Sequence, residues 1–220
     1  VADSYLKAMK QGNFPLALTL LDRELGIDPN DPKLLFNFAV CCFQTQNFSK
    51  AKQILYDILE KFPGFIEEAR IYRLVAFCLI EERKWDEVEI VIRGRLELYP
   101  NDVQLLSFLA HVFEHTHRLD ESIEVHRTIL ELSPNYANSL NSLGYLLALK
   151  EGRSPEETKE AIDCLRKVLE LFPDNPTYLD SFGYLLQQMG KEEDALKAFR
   201  KGLQRNPSDP VLLERLKSFG

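Results

Sequence analysis

The stretch Ala195-Leu196-Lys197-Ala198-Phe199-Arg200-Lys201-Gly202-Leu203-Gln204-Arg205-Asn206-Pro207 decides the architecture. Ala195, Phe199 and Leu203 recur every fourth residue, which is one face of an α-helix and not the alternation of a strand. Pro207 has no N–H to donate and stops that helix. The same ladder occurs in six copies, closed by Pro29, Pro63, Pro100, Pro134, Pro173 and Pro207 at separations of 34, 37, 34, 39 and 34 residues. Four residues before each proline stands a leucine: Leu25, Leu59, Leu96, Leu130, Leu169 and Leu203. Eight before it stands a large residue: Leu21, Leu55, Ile92, His126, Leu165 or Phe199. Twelve before it stand Ala17, Ala51, Val88, Ser122, Ala161 and Ala195, small in five of the six copies.

Upstream of each ladder lies a second amphipathic helix, so each copy is a pair. Its entry is marked at Asp31-Pro32, Asn175-Pro176 and Asp209-Pro210, where the Asp or Asn side chain accepts free N–H groups and proline is pre-set for the first turn. Short turns such as Gln11-Gly12-Asn13 and Met189-Gly190-Lys191 separate the two helices. One such pair cannot bury its apolar face alone, so a fixed period implies stacked copies sharing a continuous core.

Composition narrows the function. The 220 residues are 45% hydrophobic and 28% charged, the mix of a folded chain. Asp and Glu outnumber Lys and Arg by 34 to 27, with the signs interspersed, so no phosphate-neutralising stripe is present and no nucleic-acid partner is expected. Uninterrupted apolar runs are far shorter than the roughly 20 residues a spanning helix needs, so no membrane insertion by this segment is expected. The chain starts at Val1 with no signal-peptide pattern and reads as processed or cut from something longer. Cys41, Cys42, Cys78 and Cys164 are too few for a disulfide framework in so long a chain. They read as small buried reduced thiols, which leans towards a reducing, cytoplasmic compartment.

The period, the small and large columns and the closing proline resemble the tetratricopeptide repeat. That family carries a Leu-Gly or Leu-Ala pair on its first helix, with a large residue three positions on. The counterparts here are Phe38-Ala39 with Cys42, Val75-Ala76 with Leu79, Leu109-Ala110 with Phe113, Leu143-Gly144 with Leu147, and Phe182-Gly183 with Leu186. The resemblance implies an all-α fold, a right-handed α-solenoid of about six helix-turn-helix units. The expected repeats are 1–29, 30–63, 64–100, 101–134, 135–173 and 174–207, followed by a capping helix over 208–220, all in a single solenoid. Three departures stand out. Tyr5 occupies the small position of the first repeat, marking a clipped or capping helix. About three extra residues fall near Gly64-Phe65-Ile66, and about five between Lys150 and Thr158; both insertions are expected in turns. His126 sits in an apolar column and is expected as a partly buried helix-face histidine.

In this family the first helices line the inner wall, and the register then gives a candidate peptide-binding groove. Repeat two contributes Lys33, Phe36, Asn37, Val40 and Gln44; repeat three Arg70, Arg73 and Phe77; repeat four Gln104, Ser107, Phe108, His111 and His115. Repeat five contributes Asn138, Asn141 and Tyr145, and repeat six Thr177, Asp180, Ser181, Tyr184 and Gln188. Aromatic rings supply buried area and the polar neighbours pair with a ligand backbone. Phe77 and Phe108 either face the groove or pack between helices. Tyrosines favour the groove, because a hydroxyl seeks water or a partner. Some members of the family clamp a C-terminal carboxylate. Only Asn37 and Arg73 fall near such positions, and Ala2 and Leu6 stand where a base and an amide belong, so the clamp is incomplete.

One string has a catalytic look. His111-Val112-Phe113-Glu114-His115 matches the inverted zinc-peptidase signature and puts two histidines on one helix face. It lacks a third ligand and the surrounding fold, so no catalytic residue, metal or cofactor is assigned. Adventitious metal binding by His111 and His115, joined by His117, is the most such a pair offers. The runs Asn141 to Tyr145, Tyr178 to Tyr184 and Asp209-Pro210-Val211 are similar to bacterial multi-repeat proteins, many of which belong to the cell envelope. The expected function is a non-enzymatic interaction scaffold binding a peptide segment of a partner protein. A regulatory or docking arm of a larger enzyme and a self-assembling homo-oligomer are the alternatives.

Overall fold

A computed structural model describes residues 2–219; Val1, Gly220 and the side chains of Ala2 and Asp3 lie outside the described residues, and so does the clamp position assigned to Ala2. Among the described residues there are thirteen α-helices and no strand. They are α1 (Ala2–Lys10), α2 (Phe14–Leu25), α3 (Pro32–Gln44), α4 (Phe48–Lys61), α5 (Glu68–Glu81), α6 (Trp85–Leu98), α7 (Val103–His115), α8 (Leu119–Leu132), α9 (Ala137–Leu149), α10 (Pro155–Leu171), α11 (Pro176–Gln188), α12 (Glu192–Arg205) and α13 (Pro210–Lys217). α1 pairs with α2, α3 with α4, α5 with α6, α9 with α10 and α11 with α12, as the repeat pattern requires, and α13 packs on α12. The described residues are all-α, built of helical hairpins, and the chain divides into two compact units, Val1–Val112 and Phe113–Gly220.

Many of the helix boundaries have a local cause. Asp31, Asn175 and Asp209 accept hydrogen bonds from the second and third N–H groups of α3, α11 and α13, each with proline in the first turn. At the other end, Phe62, Tyr99, Ser133, Phe172 and Asn206 leave the helical region, with φ between −129° and −141° and ψ between 63° and 84°. All five precede a closing proline, whose ring forbids the helical conformation to its predecessor. The insertion near Gly64 lies in the turn between α4 and α5, as expected. The second insertion departs from expectation, because Pro155 to Thr158 are helical and stretch α10 to 17 residues. Ser154 starts that helix with a capping box: its hydroxyl accepts from the Glu157 N–H, and the Glu157 carboxylate accepts from the Ser154 N–H.

Inside each hairpin the turn passes through a left-handed residue. Glycine holds this place in three copies, at Gly12, Gly152 and Gly190, whereas Gln46, Arg83 and His117 adopt φ of 61°, 56° and 60°. A side chain in that region costs roughly 1–2 kcal/mol, which glycine escapes at some entropic cost. Gln46→Gly, Arg83→Gly and His117→Gly are each expected to stabilise the protein by about 0.5–1 kcal/mol. Urea unfolding checks this; a loss of stability at all three sites would contradict it.

In the first unit the core gathers Tyr5, Ala8, Ala17, Leu21, Phe38, Cys41, Cys42, Ala51 and Cys78. Tyr5 is 6% exposed, so α1 buries a ring where the other first helices carry a small residue. Burial pushes the Cys41 thiol up to about 11 and Cys78 to about 12, leaving almost no thiolate at neutral pH. Consecutive repeats are also tied by charge. Lys52 of α4 pairs with Glu82 at the end of α5, and Ser49 donates to the same carboxylate at 2.8 Å. Burial pushes the Glu82 carboxyl up, but hydrogen bonds from Lys52, Ser49 and Lys84 outweigh it and hold the group at about 2.

The second unit shows why the small column is small. A Cβ on Gly144 of α9 would lie 2.5 Å from Leu165 Cγ of α10, and one on Gly183 of α11 would lie 2.5 Å from the Phe199 ring of α12. The small position of the first helix is therefore filled by the large residue of the second. Ile123, Leu140, Leu143, Leu147, Ala161, Leu165, Val168 and Leu185 form one cluster, and Leu186, Ala195, Phe199 and Leu212 the next. Arg127 of α8 grips Glu160 of α10 through Nε at 2.9 Å and Nη2 at 2.6 Å, the two-pronged geometry that makes such pairs strong.

His126 differs from the sequence expectation. It is fully buried at 3% exposure, and both ring nitrogens are engaged: Nδ1 meets Ser139 Oγ at 2.9 Å and Nε2 meets Glu114 Oε1 at 3.0 Å. The imidazole takes an apolar position without leaving a polar atom unpaired, which is the condition for tolerating it there. Ser139 has no exposed surface, and the Glu114 side chain is 31% exposed, so the link between these helices is buried at the serine and histidine and reaches solvent at the carboxylate.

Candidate functional site

The inward register separates into residues that have surface and residues that do not. In the first unit Phe36 and Val40 are buried, at 4% and 7% exposure, and offer nothing to a ligand. Phe65, carried by the insertion, meets the Phe36 ring edge at 6.0 Å, and the Arg70 guanidinium lies 5.2 Å from the Phe36 centroid. Lys33 and Gln104 are exposed, and the Asn37 amide is turned back onto the Lys33 carbonyl at 2.8 Å. Arg73 holds Asp102 through Nε at 3.1 Å and Nη2 at 2.8 Å, while the other oxygen of Asp102 caps α7. Phe77 stands between Phe43 and Phe108 at 5.1 and 6.2 Å, all three half-buried, so this aromatic row packs between helices and shows an edge outside. His111 lies edge-on to Trp85 at 6.2 Å. Among the described residues no three His, Cys, Asp or Glu side chains converge as a metal site would require.

The second unit brings its inward residues together. On α9 stand Asn138, Asn141 and Tyr145; on α11, which packs against α9, stand Asp180, Tyr184 and Gln188. The Tyr145 and Tyr184 rings lie 5.4 Å apart, both half-buried, and Gln188 and Asn138 are exposed. Arg215 of α13 completes the cluster. Its guanidinium sits 4.3 Å from the Tyr184 centroid, its Nε donates to Asp180 Oδ1 at 3.2 Å and its Nη2 donates to the Tyr145 hydroxyl at 3.4 Å. Burial pushes the Asp180 carboxyl up, against the lowering effect of Arg215. Beside this cluster opens a cleft of about 580 Å³ lined by Tyr184, Gln187, Gln188, Val211, Glu214, Arg215 and Ser218.

The α13 half of that cleft was missing from the sequence reading, which took the last helix only as a lid. A signal for it was present. Asn175-Pro176 and Asp209-Pro210 stand 34 residues apart, so α13 repeats the register of α11. Moving the inward set Thr177, Asp180, Ser181 and Tyr184 on by that period gives Val211, Glu214, Arg215 and Ser218, and all four line the cleft. Ser181 itself is buried and donates to the Thr177 carbonyl at 3.1 Å.

Models of the tetratricopeptide repeat match residues 8–78 and 177–209, one segment in each unit. The hairpins between them keep the same small and large columns and the same closing proline. The chain is a tetratricopeptide repeat protein. Among curated relatives by sequence, it is 25% identical over 137 residues to the human cell division cycle protein 16 homolog. That match takes in 62% of this chain and 18% of the relative, so the chain spans under a fifth of the human protein's length. A solved tetratricopeptide repeat protein from Parabacteroides merdae superposes with a TM-score of 0.72 at 15% identity, covering 83% of this chain and 70% of the other. YrrB, described as a TPR protein with an unusual peptide-binding site, gives 0.68 at 18% identity over 90% and 97% of the two chains. These structural likenesses are likenesses of fold. As an array of such repeats, this tetratricopeptide protein is an interaction scaffold.

Proposed function

We propose that this protein is a non-enzymatic scaffold whose second unit binds a segment of a partner protein along the wall made by α9, α11 and α13. The observation that carries this reading is the half-exposed Tyr145–Tyr184 pair, whose Tyr184 lines an open cleft rimmed by amides and one acidic and one basic side chain. Tyrosines are suited to such a wall. They present a large rigid surface with few rotatable bonds and a hydroxyl that stays wet or finds a partner. A peptide is the fitting occupant, because Gln187, Gln188 and Asn138 can pair with backbone N–H and C=O groups while the rings take its side chains. The peptide-binding site named for YrrB is in keeping with this. In the first unit, taken by itself, Lys33, Arg70 and Gln104 are exposed and Phe77 and Phe108 half-buried, and these are inward residues that keep surface there.

The expected result of Tyr145→Ala combined with Tyr184→Ala is partner capture weakened roughly tenfold or more, since buried aromatic anchors carry about 2 kcal/mol or more each. Thermal unfolding should stay nearly intact, because neither ring belongs to the fully buried set. The measurement is quantitative pull-down by the wild-type and double-variant proteins, with circular dichroism melts alongside. A variant that folds and retains the same partners would refute the proposal, and one that unfolds would assign the rings to the core.

A further inference from the structure

We propose that Tyr145, Asp180 and Tyr184 form a guanidinium-binding site, filled in the free protein by its own Arg215 and taken by an arginine side chain of the bound partner segment. This rests on the wall being the binding surface and names the chemistry of what it binds.

The cluster supplies what a guanidinium needs and an ammonium uses poorly. A planar cation stacks on a ring, donates at its edge to a carboxylate and sends further in-plane N–H groups to neutral acceptors. Tyr184 provides the ring, Asp180 the carboxylate and the Tyr145 hydroxyl the neutral acceptor, each within reach of one Arg215. Only 15% of the Asp180 side chain is exposed, so a cation has to be present for the carboxylate to remain charged. Arg215 meets this demand incompletely. It uses Nε alone on Asp180, at 3.2 Å, where a guanidinium can engage a carboxylate through two N–H groups. Its contact with Tyr145 is longer still, at 3.4 Å, and its side chain is 22% exposed on a helix of eight residues.

A second observation points the same way. Asn141 Oδ1, one turn before Tyr145 on α9, is buried and has no hydrogen-bond donor. A buried acceptor left unpaired is costly, and an entering segment brings donors from its guanidinium or its backbone. Glu214, on the cleft rim, adds a second carboxylate, so the balance of charge around the opening favours a cationic side chain. The cleft of about 580 Å³ has room for one beside Tyr184. Arg215 is thus an internal competitor: the partner's arginine replaces it, and Arg215 turns out towards solvent.

The probes are N-acetyl-arginine amide, N-acetyl-lysine amide and uncharged N-acetyl-citrulline amide at matched ionic strength, followed through the tyrosine ring resonances by NMR. The Arg215→Ala protein is expected to bind the arginine compound about tenfold more tightly than the wild type, because removing an occupant raises the competent fraction of sites. The lysine compound should bind more weakly and the citrulline compound not at all, and adding Asp180→Asn should abolish the preference. Equal affinity of wild type and Arg215→Ala, or no preference for arginine over lysine, overturns the proposal. If Arg215→Ala does not fold, Arg215→Lys keeps a cation and loses the planar fork; failure of the arginine compound to bind it more tightly than wild type overturns the proposal equally. Loss of partner capture in the tyrosine double variant without any arginine preference would sink this inference and leave the wall as the binding surface. Capture unaffected by the tyrosines would remove both.

Discussion

Gly183→Ala is expected to lower the melting temperature by several degrees, and Gly94→Ala to raise it. Both glycines lie within helices, where replacing glycine by alanine gains about 1 kcal/mol in propensity. Their surroundings set the sign. Around Gly94 of α6 nothing lies within 4 Å of a new Cβ, so the propensity gain stands alone. At Gly183 the methyl would lie 2.5 Å from Phe199 Cε1 and 2.7 Å from Cδ1. Phe199 has no exposed surface and packs within the cluster that includes Leu186, Ala195 and Leu212, so its ring has nowhere to go. Overpacking of a closed core costs roughly 1–3 kcal/mol, which exceeds the propensity gain through most of that range. Calorimetry on both variants checks this, with Gly183→Ala plus Phe199→Leu expected to recover part of the loss. A rise in melting temperature for Gly183→Ala would mean that the hairpin is not closed at this point.

That steric pairing also explains how much could be read in advance. Gly144 and Gly183, and the large residues Leu165 and Phe199 that face them, are visible in sequence because each of these hairpins meets the same close approach of two helices. Period, pairing and helix ends follow from local rules, which proline and Asp or Asn write directly into the chain. Depth is another matter. Register places Phe36 and Tyr145 on equivalent inward stripes, yet Phe36 is buried and Tyr145 is half-exposed. Phe65 covers Phe36 only because three extra residues loop it there, a contact no helical period contains. His126 is similar: its burial depends on Ser139 and Glu114, 13 and 12 residues away on the neighbouring helices. The extended start of α10 escaped because an insertion is naturally assigned to a turn, although Ser154-Pro155 with Glu157 spells a helix entry. For the candidate site, the tyrosines were legible from their stripe, whereas Arg215 required carrying the period one helix further.

Truncation after Asn206, which deletes α13, should cost more stability than any single substitution above. Leu212 is 1% exposed and shares a cluster with Phe199, and its Cδ1 lies 2.7 Å from where a Cβ on Gly202 would stand, so α13 sits directly on the glycine face of α12. Phe219 adds a ring contact with Phe199 at 6.0 Å. Losing a buried leucine alone costs about 2–5 kcal/mol, and the truncated face would stay open to water and to other copies. The electrostatic loss has the same direction. Without α13, Asp180 loses the cation that pairs with it, so its carboxylate is left to take up a proton or draw in water. The expected result is a melting temperature lower by ten degrees or so, at roughly 2–4 °C per kcal/mol for a chain of this size, with concentration-dependent light scattering. Leu212→Ala should reproduce part of the drop with the site chemistry intact, and Arg215→Ala should lose far less stability, which separates the two contributions. An unchanged melting curve for the truncated chain would show that the sixth hairpin closes the stack unaided and that α13 serves the cleft alone.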